Sequence, residues 1–365
     1  MRHVHLDFLR AILMMYGIVV HSSTLGSGIS ELYTAIQYSS GLVRMEAFYI
    51  ISGFVSAVTL AKYGNAKTIE KRLVRIGIPL IFGLIALNPI ANYLVYSFHN
   101  TAEISFVDFL TEPMPENAKG PMVWHLHLWF LFPLLVYALL LPTFTRILST
   151  GWFNWLHDEN QSFSTGKMVL ILGVLALVAV SLRLGYTQGI CNTLNLEQSF
   201  IIREGVYQLP FYFFGIMIFH SRTLYDAFHK PRWIALVFSG VALTVLEHLH
   251  GTNDSAILKI TYLFTLAFTA FSLSNILFYI AKNYLSGNKE IVRFYSDASY
   301  TVYMLHYLTI YVLANLLSPY ITNNYALVVA CATLTFLITT ATHKYFVSKN
   351  KVAAMFMNGK PLWKE

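Results

Sequence analysis

The chain is short of charged residues and nearly free of cysteine. Asp, Glu, Lys and Arg make up 12% of its 365 residues, about half of the roughly 25% that is usual in soluble domains. So little charge excludes a soluble globular protein. No stretch between the apolar segments is long enough for a soluble domain of about 50 residues. The two cysteines, Cys191 and Cys331, lie in segments that are not expected to meet, so we predict no disulfide.

Long apolar segments dominate the chain instead, and hydrophobic residues make up 56% of it. A membrane-spanning helix needs about 20 mostly apolar residues. Segments of that kind lie at 6–25, 40–61, 73–98, 124–145, 168–187, 204–221, 232–249, 257–281, 298–318 and 325–346. They lack the strict alternation of transmembrane β-strands. The sequence therefore predicts an all-α polytopic membrane protein of about ten transmembrane helices, forming a single membrane domain over residues 1–365.

Lysine and arginine are distributed unevenly among the connecting segments. If the N-terminus is cytoplasmic, most of the 25 Lys and Arg residues fall on the inner side, as the positive-inside rule expects. We therefore predict that both termini are cytoplasmic. This bias also accounts for most of the net charge of +7, so no nucleic-acid partner is expected. Asp7 and Arg10 argue against a cleavable signal peptide, which keeps acids out of its front segment.

The first predicted helix carries polar residues on one face. Asp7, Arg10, Met14, Gly17 and His21 follow each other at steps of three and four residues, which places them in one stripe. Arg10 and His21 are then about 16 Å apart along the helix axis. Ionisable residues inside a membrane usually face a bundle interior or a wet cavity and are functional candidates. The simpler alternative is an ion pair between Asp7 and Arg10, with His21 as a buried structural imidazole.

The second predicted helix brings two charged residues to a depth near that of His21. Arg44 and Glu46 are two positions apart in "LVRMEAFYIISGFVS" and point to opposite sides of their helix. A carboxylate beside an imidazole raises its basicity and fixes its tautomer. We therefore predict that Glu46 orients His21 and that Arg44 contacts substrate. An Arg44 salt bridge that only ties helices together is the alternative.

A basic segment precedes the third predicted helix. Lys67, Lys71 and Arg75 are spaced four residues apart in "KYGNAKTIEKRLVRIGIPL", and Arg72 lies beside them. Arginine forks suit phosphate groups, so Lys71, Arg72 and Arg75 are candidate ligands for a nucleotide-diphosphate carrier. The positive-inside bias alone explains the same residues equally well.

Aromatic residues and histidines accompany two further helices. His127 and Trp129 in "WHLHLWFLF" predict either a sugar-stacking site or an interfacial aromatic belt. Tyr303 and His306 in "YTVYMLHYLTIYV" predict either the polar lining of a passage or a packed tyrosine cluster. Two histidines without nearby Cys or Asp are a weak metal signal, and no metal is expected.

Several segments together resemble the acyltransferase 3 family of membrane O-acyltransferases. They are "LDFLRAILMMYGIVVH", "RMEAFYIISGFVS", "RLVRIGIPL", "HLWFL" and "YTVYMLHY", in family order across nearly the whole chain. Within that family the chain is most similar to the branch of inferred glucan succinyltransferases. The chain departs from the family at Tyr49, where relatives often carry Phe, and at Glu46, where many carry Asp.

The resemblance implies an activity and assigns residues to it. Such enzymes move an acyl group from cytoplasmic acyl-CoA, here succinyl-CoA or acetyl-CoA, to a hydroxyl of an extracytoplasmic glycan. The resemblance implies a catalytic His21, a first-helix Arg10, CoA-phosphate ligands Arg72 and Arg75, and location in the bacterial inner membrane. The partners expected are thus the lipid bilayer, acyl-CoA and a glycan acceptor.

Two mechanisms follow from these residues. In the first, His21 is a general base or accepts the acyl group transiently, Glu46 orients it, and Arg44 or Arg10 stabilises the thioester oxygen or a donor carboxylate. The alternative is a proton-coupled carrier or flippase for a glycan or small anion, with His21, Glu46 and His306 as the proton pathway. That alternative predicts an internal repeat, which the sequence does not show.

Overall fold

The computed structural model describes residues 3–26, 31–158, 161–190, 200–251, 255–285 and 289–362. Within these ranges the chain is helical and has no β-strand, which confirms the predicted all-α class. Nine helices there are long and apolar enough to cross a membrane: α1 (Val4–Gly26), α2 (Glu31–Tyr63), α3 (Asn65–His99), α5 (Leu126–Leu148), α6 (Thr165–Gly189), α9 (Trp233–His250), α10 (Ala256–Tyr284), α11 (Glu290–Leu317) and α12 (Asn324–Val347).

Four further helices complete the set that we label. They are α4 (Phe106–Thr111), α7 (Phe200–His220), α8 (Arg222–Phe228) and α13 (Lys351–Asn358). The remaining predicted span, 204–221, corresponds to α7, a helix of 21 residues. Its polar residues Arg203, Glu204 and Gln208 reduce its mean hydropathy, which is why it does not stand among the nine. Cys331 is a buried free thiol, whereas Cys191 lies outside the described residues.

The helices group into two compact units that alternate along the chain. The first unit comprises Met1–Arg10, Ser39–Glu70 and Phe132–Lys289, and the second comprises Ala11–Tyr38, Lys71–Leu131 and Glu290–Glu365. The long first helix α1 therefore contributes residues to both units. The single domain that the sequence predicts over residues 1–365 stays a prediction.

The first unit is held together by aromatic packing and by one close helix crossing. Phe211 of α7 stacks on Phe271 of α10 with ring centroids 4.1 Å apart, and both are fully buried. Gly53 of α2 and Gly215 of α7 face each other's backbone. A Cβ at Gly53 would lie 2.9 Å from the carbonyl carbon of Tyr212, inside van der Waals contact. The Ser-Gly-Phe segment of α2 thus serves close helix packing.

The second unit has a core built from α1, α3, α11 and α12, with Tyr311 and Ile310 of α11 fully buried at its centre. Asparagines of α3 order the chain that leads into α5. Asn88 Nδ2 donates to the carbonyl of Trp124 at 2.9 Å, and Asn92 Nδ2 donates to that of Val123 at 3.1 Å. These bonds fix the position at which α5 begins.

Candidate functional site

Three histidines from three helices meet in the second unit. The ring centroid of His306 on α11 lies 5.2 Å from that of His21 on α1 and 4.7 Å from that of His127 on α5. His21 and His127 are themselves 6.2 Å apart. His127 and His306 are buried, with 7% and 1% exposure, and His21 is half-buried. We call these three residues the histidine cluster.

Two tyrosines of α11, one helical turn apart, hold the histidine cluster in place. Tyr307 stacks on His127 with centroids 5.3 Å apart and an interplanar angle of 15°, and its ring lies 5.2 Å from His21. The hydroxyl of Tyr303 donates to the backbone carbonyl of His127 at 2.7 Å. The histidine and the tyrosines of "YTVYMLHY" therefore act as one packed group on a single helix.

The hydrogen bonds of His306 determine its protonated nitrogen. Its Nδ1 lies 2.7 Å from the carbonyl oxygen of Tyr303 and 3.2 Å from that of Val302. A carbonyl oxygen only accepts, so Nδ1 must carry the hydrogen. In the neutral ring, Nε2 then holds the lone pair and is the basic atom. A second base is thus present beside His21.

The start of α5 gives His127 its buried position. Leu126 has φ of 43°, in the left-handed region that side chains rarely adopt. Residues Leu126–Phe130 then form a 3₁₀ turn that leads into the regular helix. Trp129 lies half-buried on the same turn beside Phe130, with ring centroids 6.5 Å apart. Its predicted sugar-stacking role stays a prediction.

Glu46 lies in the first unit and has a partner that the sequence did not reveal. Its side chain is 4% exposed and accepts a hydrogen bond of 2.9 Å from Nε2 of Gln208 on α7. Among the described residues, neither the second oxygen of Glu46, Oε2, nor the amide oxygen of Gln208 has a hydrogen-bond partner. A glutamine inside the apolar segment "VYQLPFYFFG" was the available signal. The predicted orientation of His21 by Glu46 stays a prediction.

The two predicted arginines of the membrane helices also belong to the first unit. Arg44 is half-buried on α2, and its charge acts on the Glu46 carboxylate. Arg10 lies 3.8 Å from Asp7 on the same helix, which is the ion pair that the i, i+3 spacing allows. Their predicted contacts with the substrate stay predictions.

The predicted phosphate ligands lie at the start of the second unit's part of α3. Lys71 and Arg72 are half-buried, and Arg75 is exposed. The helix changes to a π turn over Leu73–Gly77, and such turns often occur at functional sites. The π turn widens the helix, so the four-residue spacing of Lys71 and Arg75 does not continue as one regular stripe.

No set of three or more His, Cys, Asp or Glu side chains in the described part of the chain could hold a metal ion. The imidazoles of the histidine cluster can serve proton transfer or nucleophilic attack.

Comparisons with known proteins give the chain a family. A family profile described as "Acyltransferase domain", acyltransferase 3, matches residues 3–344. Glucans biosynthesis protein C from Escherichia coli O17:K52:H18 is 24% identical over 346 residues, which cover 89% of this chain and 86% of that protein. The proteins of the same name from Escherichia coli K12 and Shigella dysenteriae serotype 1 show the same identity and coverage. No solved structure matches the chain.

Proposed function

The chain belongs to the acyltransferase 3 family and is a multi-pass membrane acyltransferase, and we propose that it moves a succinyl or acetyl group from acyl-CoA to a glycan hydroxyl. In this proposal the donor binds from the cytoplasm and the acceptor is an extracytoplasmic glucan. The name of these relatives, glucans biosynthesis protein C, supports a glucan acceptor. The enzyme would act in the bacterial inner membrane.

The histidine cluster is the observation that carries the proposal. Acyl transfer to a hydroxyl needs a base that takes the hydroxyl proton as the oxygen attacks the thioester carbon. His21 is half-buried and thus partly open to a reactant, while His306 beside it carries a hydrogen on Nδ1, which leaves Nε2 as the basic atom of the neutral ring. Two adjacent imidazoles place a second basic nitrogen beside the proposed base.

The proposed reaction balances without a further reagent. The acceptor oxygen forms a bond to the carbonyl carbon of the thioester while His21 takes the hydroxyl proton. The carbon–sulfur bond then breaks, and the imidazolium returns the proton to the leaving CoA thiolate. The products are the glycan ester and the free CoA thiol. Transient acylation of His21 before transfer to the glycan gives the same balance.

The remaining predicted residues have supporting roles in the proposal. Arg72 and Arg75, with Lys71, would hold the CoA phosphates through charge-assisted hydrogen bonds. Arg10 or Arg44 would stabilise the thioester oxygen or the carboxylate of a succinyl donor. Tyr303 and Tyr307 would keep His127 and His306 in register, as their contacts indicate.

The proposal is tested with purified protein in lipid nanodiscs. Acyl-CoA labelled in its acyl group is supplied with a β-glucan, and label is measured in the glucan, with succinyl-CoA and acetyl-CoA compared. We expect label in the glucan from one donor in preference to the other, and none from the His21→Ala variant. Uptake of glucan or anion into sealed vesicles without any acyl transfer would contradict the proposal and favour the carrier.

A further inference from the structure

The segment after the last membrane-spanning helix ends in a turn that only glycine allows. Helix α13 closes with Gly359 at φ 59° and ψ 32°, the left-handed cap conformation. Gly359 N–H donates to the carbonyl of Met355 at 3.0 Å, and Lys360 N–H donates to that of Ala354 at 3.1 Å. The family match ends at residue 344, so membership of the family does not assign a role to this segment.

The turn lies directly on the backbone of Arg75. A Cβ built at Gly359 would be 2.6 Å from the carbonyl carbon of Arg75, and closer still to its Cα and oxygen. A side chain is therefore excluded here on steric grounds as well as by the backbone conformation. The ring of Phe356 on α13 also packs against Phe82 of α3, with centroids 5.1 Å apart.

Hydrogen bonds to α11 fix the other side of the turn. Asn358 is 4% exposed. Its Oδ1 accepts from the hydroxyl of Thr301 at 2.8 Å, and its Nδ2 donates to the carbonyl of Asp297 at 3.4 Å. Nδ1 of His343 on α12 lies 2.8 Å from the same Thr301 hydroxyl. Within the second unit, the turn thus forms hydrogen bonds with α11 and lies in close backbone contact with α3.

Polar and positive groups surround this contact. The hydroxyl of Tyr300, next to Thr301, is buried and has no hydrogen-bond partner among the described residues. The charge of Arg75 acts on that hydroxyl. Lys360 follows Gly359 directly, is exposed, and is close enough for its charge to act on His343. An exposed guanidinium and an exposed ammonium together suit a phosphate group.

We propose that the turn Asn358-Gly359-Lys360 completes the donor site, with Asn358 and Gly359 positioning Arg75 and Lys360 binding a phosphate of coenzyme A. The proposal rests on the proposed function, because that function supplies the CoA ester as donor. It adds residues to which the sequence motifs assign no role in the reaction.

The test measures KM for acyl-CoA and kcat with the purified enzyme in neutral-lipid nanodiscs. Gly359→Ala and Lys360→Gln should each raise KM about two- to fivefold, the size of one weakened exposed ion pair, with kcat within about twofold. Gly64→Ala is the matched control, because Gly64 also has positive φ, 76°, but nothing within 4 Å of its Cβ position. It should leave KM unchanged.

Comparison with the Arg75→Gln variant distinguishes failure of this inference from failure of the proposed donor site. If Arg75→Gln raises KM while both turn variants leave it unchanged, the inference is wrong and the donor site stands. If Arg75→Gln also leaves KM unchanged, the donor site is wrong and the inference falls with it. Should Gly359→Ala fail to fold, Lys360→Gln decides alone. Coenzyme A should raise the thermal unfolding temperature, and stabilisation by phosphatidylglycerol nanodiscs alone would identify a lipid site and overturn the inference.

Discussion

His306 donates its Nδ1 hydrogen to the carbonyl oxygen of Tyr303 across 2.7 Å, and this bond leaves Nε2 as the basic nitrogen beside His21. The bond lies within one turn of α11, so it depends little on the rest of the protein. A side chain with a donor at the δ position can therefore keep the hydrogen bond to Tyr303 without supplying the basic Nε2.

His306→Asn should separate folding from catalysis. The asparagine Nδ2 can still donate to the Tyr303 carbonyl, whereas the basic nitrogen is lost. We expect kcat to fall roughly a hundredfold, the lower range of general acid–base contributions, while the unfolding temperature changes little. His248→Asn, on an exposed position of α9, is the control and should keep kcat. An enzyme with His306→Asn and unchanged kcat would show that His306 is only a packed residue.

The crossing of Gly53 and Gly215 should tolerate no side chain. Alanine at Gly215 would place its Cβ 2.8 Å from the backbone nitrogen of Phe54, which neither helix can relieve without moving apart. We expect Gly53→Ala and Gly215→Ala to reduce the amount of folded protein in the membrane severalfold. Gly173→Ala and Gly240→Ala have nothing within 4 Å and should express normally. Equal amounts of all four variants, measured by size-exclusion chromatography in detergent, would disprove the close crossing.

Gln208 should stabilise the folded protein more when Glu46 is present than when it is replaced. If the amide of Gln208 is removed, the buried carboxylate of Glu46 loses that hydrogen-bond donor, which should reduce the free energy of unfolding by about 1–3 kcal/mol. We expect Gln208→Leu to lower the unfolding temperature, and expect Glu46→Leu with Gln208→Leu to recover part of that loss. A double-mutant cycle on thermal unfolding measures the coupling. Strictly additive effects would mean that the 2.9 Å bond contributes nothing.

His229, which follows α8, should make stability depend on pH. Burial lowers the pKa of His229 from 6.5 to about 4, although its bond to the Tyr225 carbonyl opposes the shift. The unfolded chain therefore binds more protons than the folded chain between pH 6.5 and 4. The stability that the neutral His229 contributes is complete above pH 6.5 and is lost as the pH falls towards 4. Each pH unit in that window costs at most about 1.4 kcal/mol.

The His229→Asn variant isolates this contribution. Asparagine can keep the bond to the Tyr225 carbonyl but does not titrate in the window. We expect the unfolding temperature of the variant to fall less steeply than that of the natural protein between pH 6.5 and 4.5. Parallel curves for the two proteins would show that His229 is already protonated or exposed in the folded state.

Hydropathy and helical periodicity were sufficient to predict the all-α membrane fold. They work because a span must form its backbone hydrogen bonds internally and expose apolar side chains to lipid. The length of an apolar segment therefore indicates the length of the span. The ends of α2 and α3 were less predictable, since both helices extend by several polar residues beyond their apolar segments. Helical hydrogen bonds continue past the apolar segment, and composition does not mark where they stop.

The three histidines were predicted on separate helices, and only His21 and His306 were placed together, in the alternative proton pathway. His21, His127 and His306 each stood out as polar residues in apolar helices, yet their meeting depends on contacts between positions more than 100 residues apart in sequence. The contact of Gln208 with Glu46 and that of the turn at Gly359 with Arg75 were not predicted, for the same reason. Gln208 is an uncharged residue whose role depends on its hydrogen bond to Glu46. The role of Gly359 depends on its contact with the backbone of Arg75.

The most direct test of the account is acyl transfer by the His21→Ala enzyme, compared with the His248→Ala enzyme at equal protein levels in nanodiscs. We expect His21→Ala to abolish transfer of label from acyl-CoA to glucan while coenzyme A still raises its unfolding temperature, and His248→Ala to retain full transfer. Transfer by the His21→Ala enzyme at the rate of the natural protein would contradict the account.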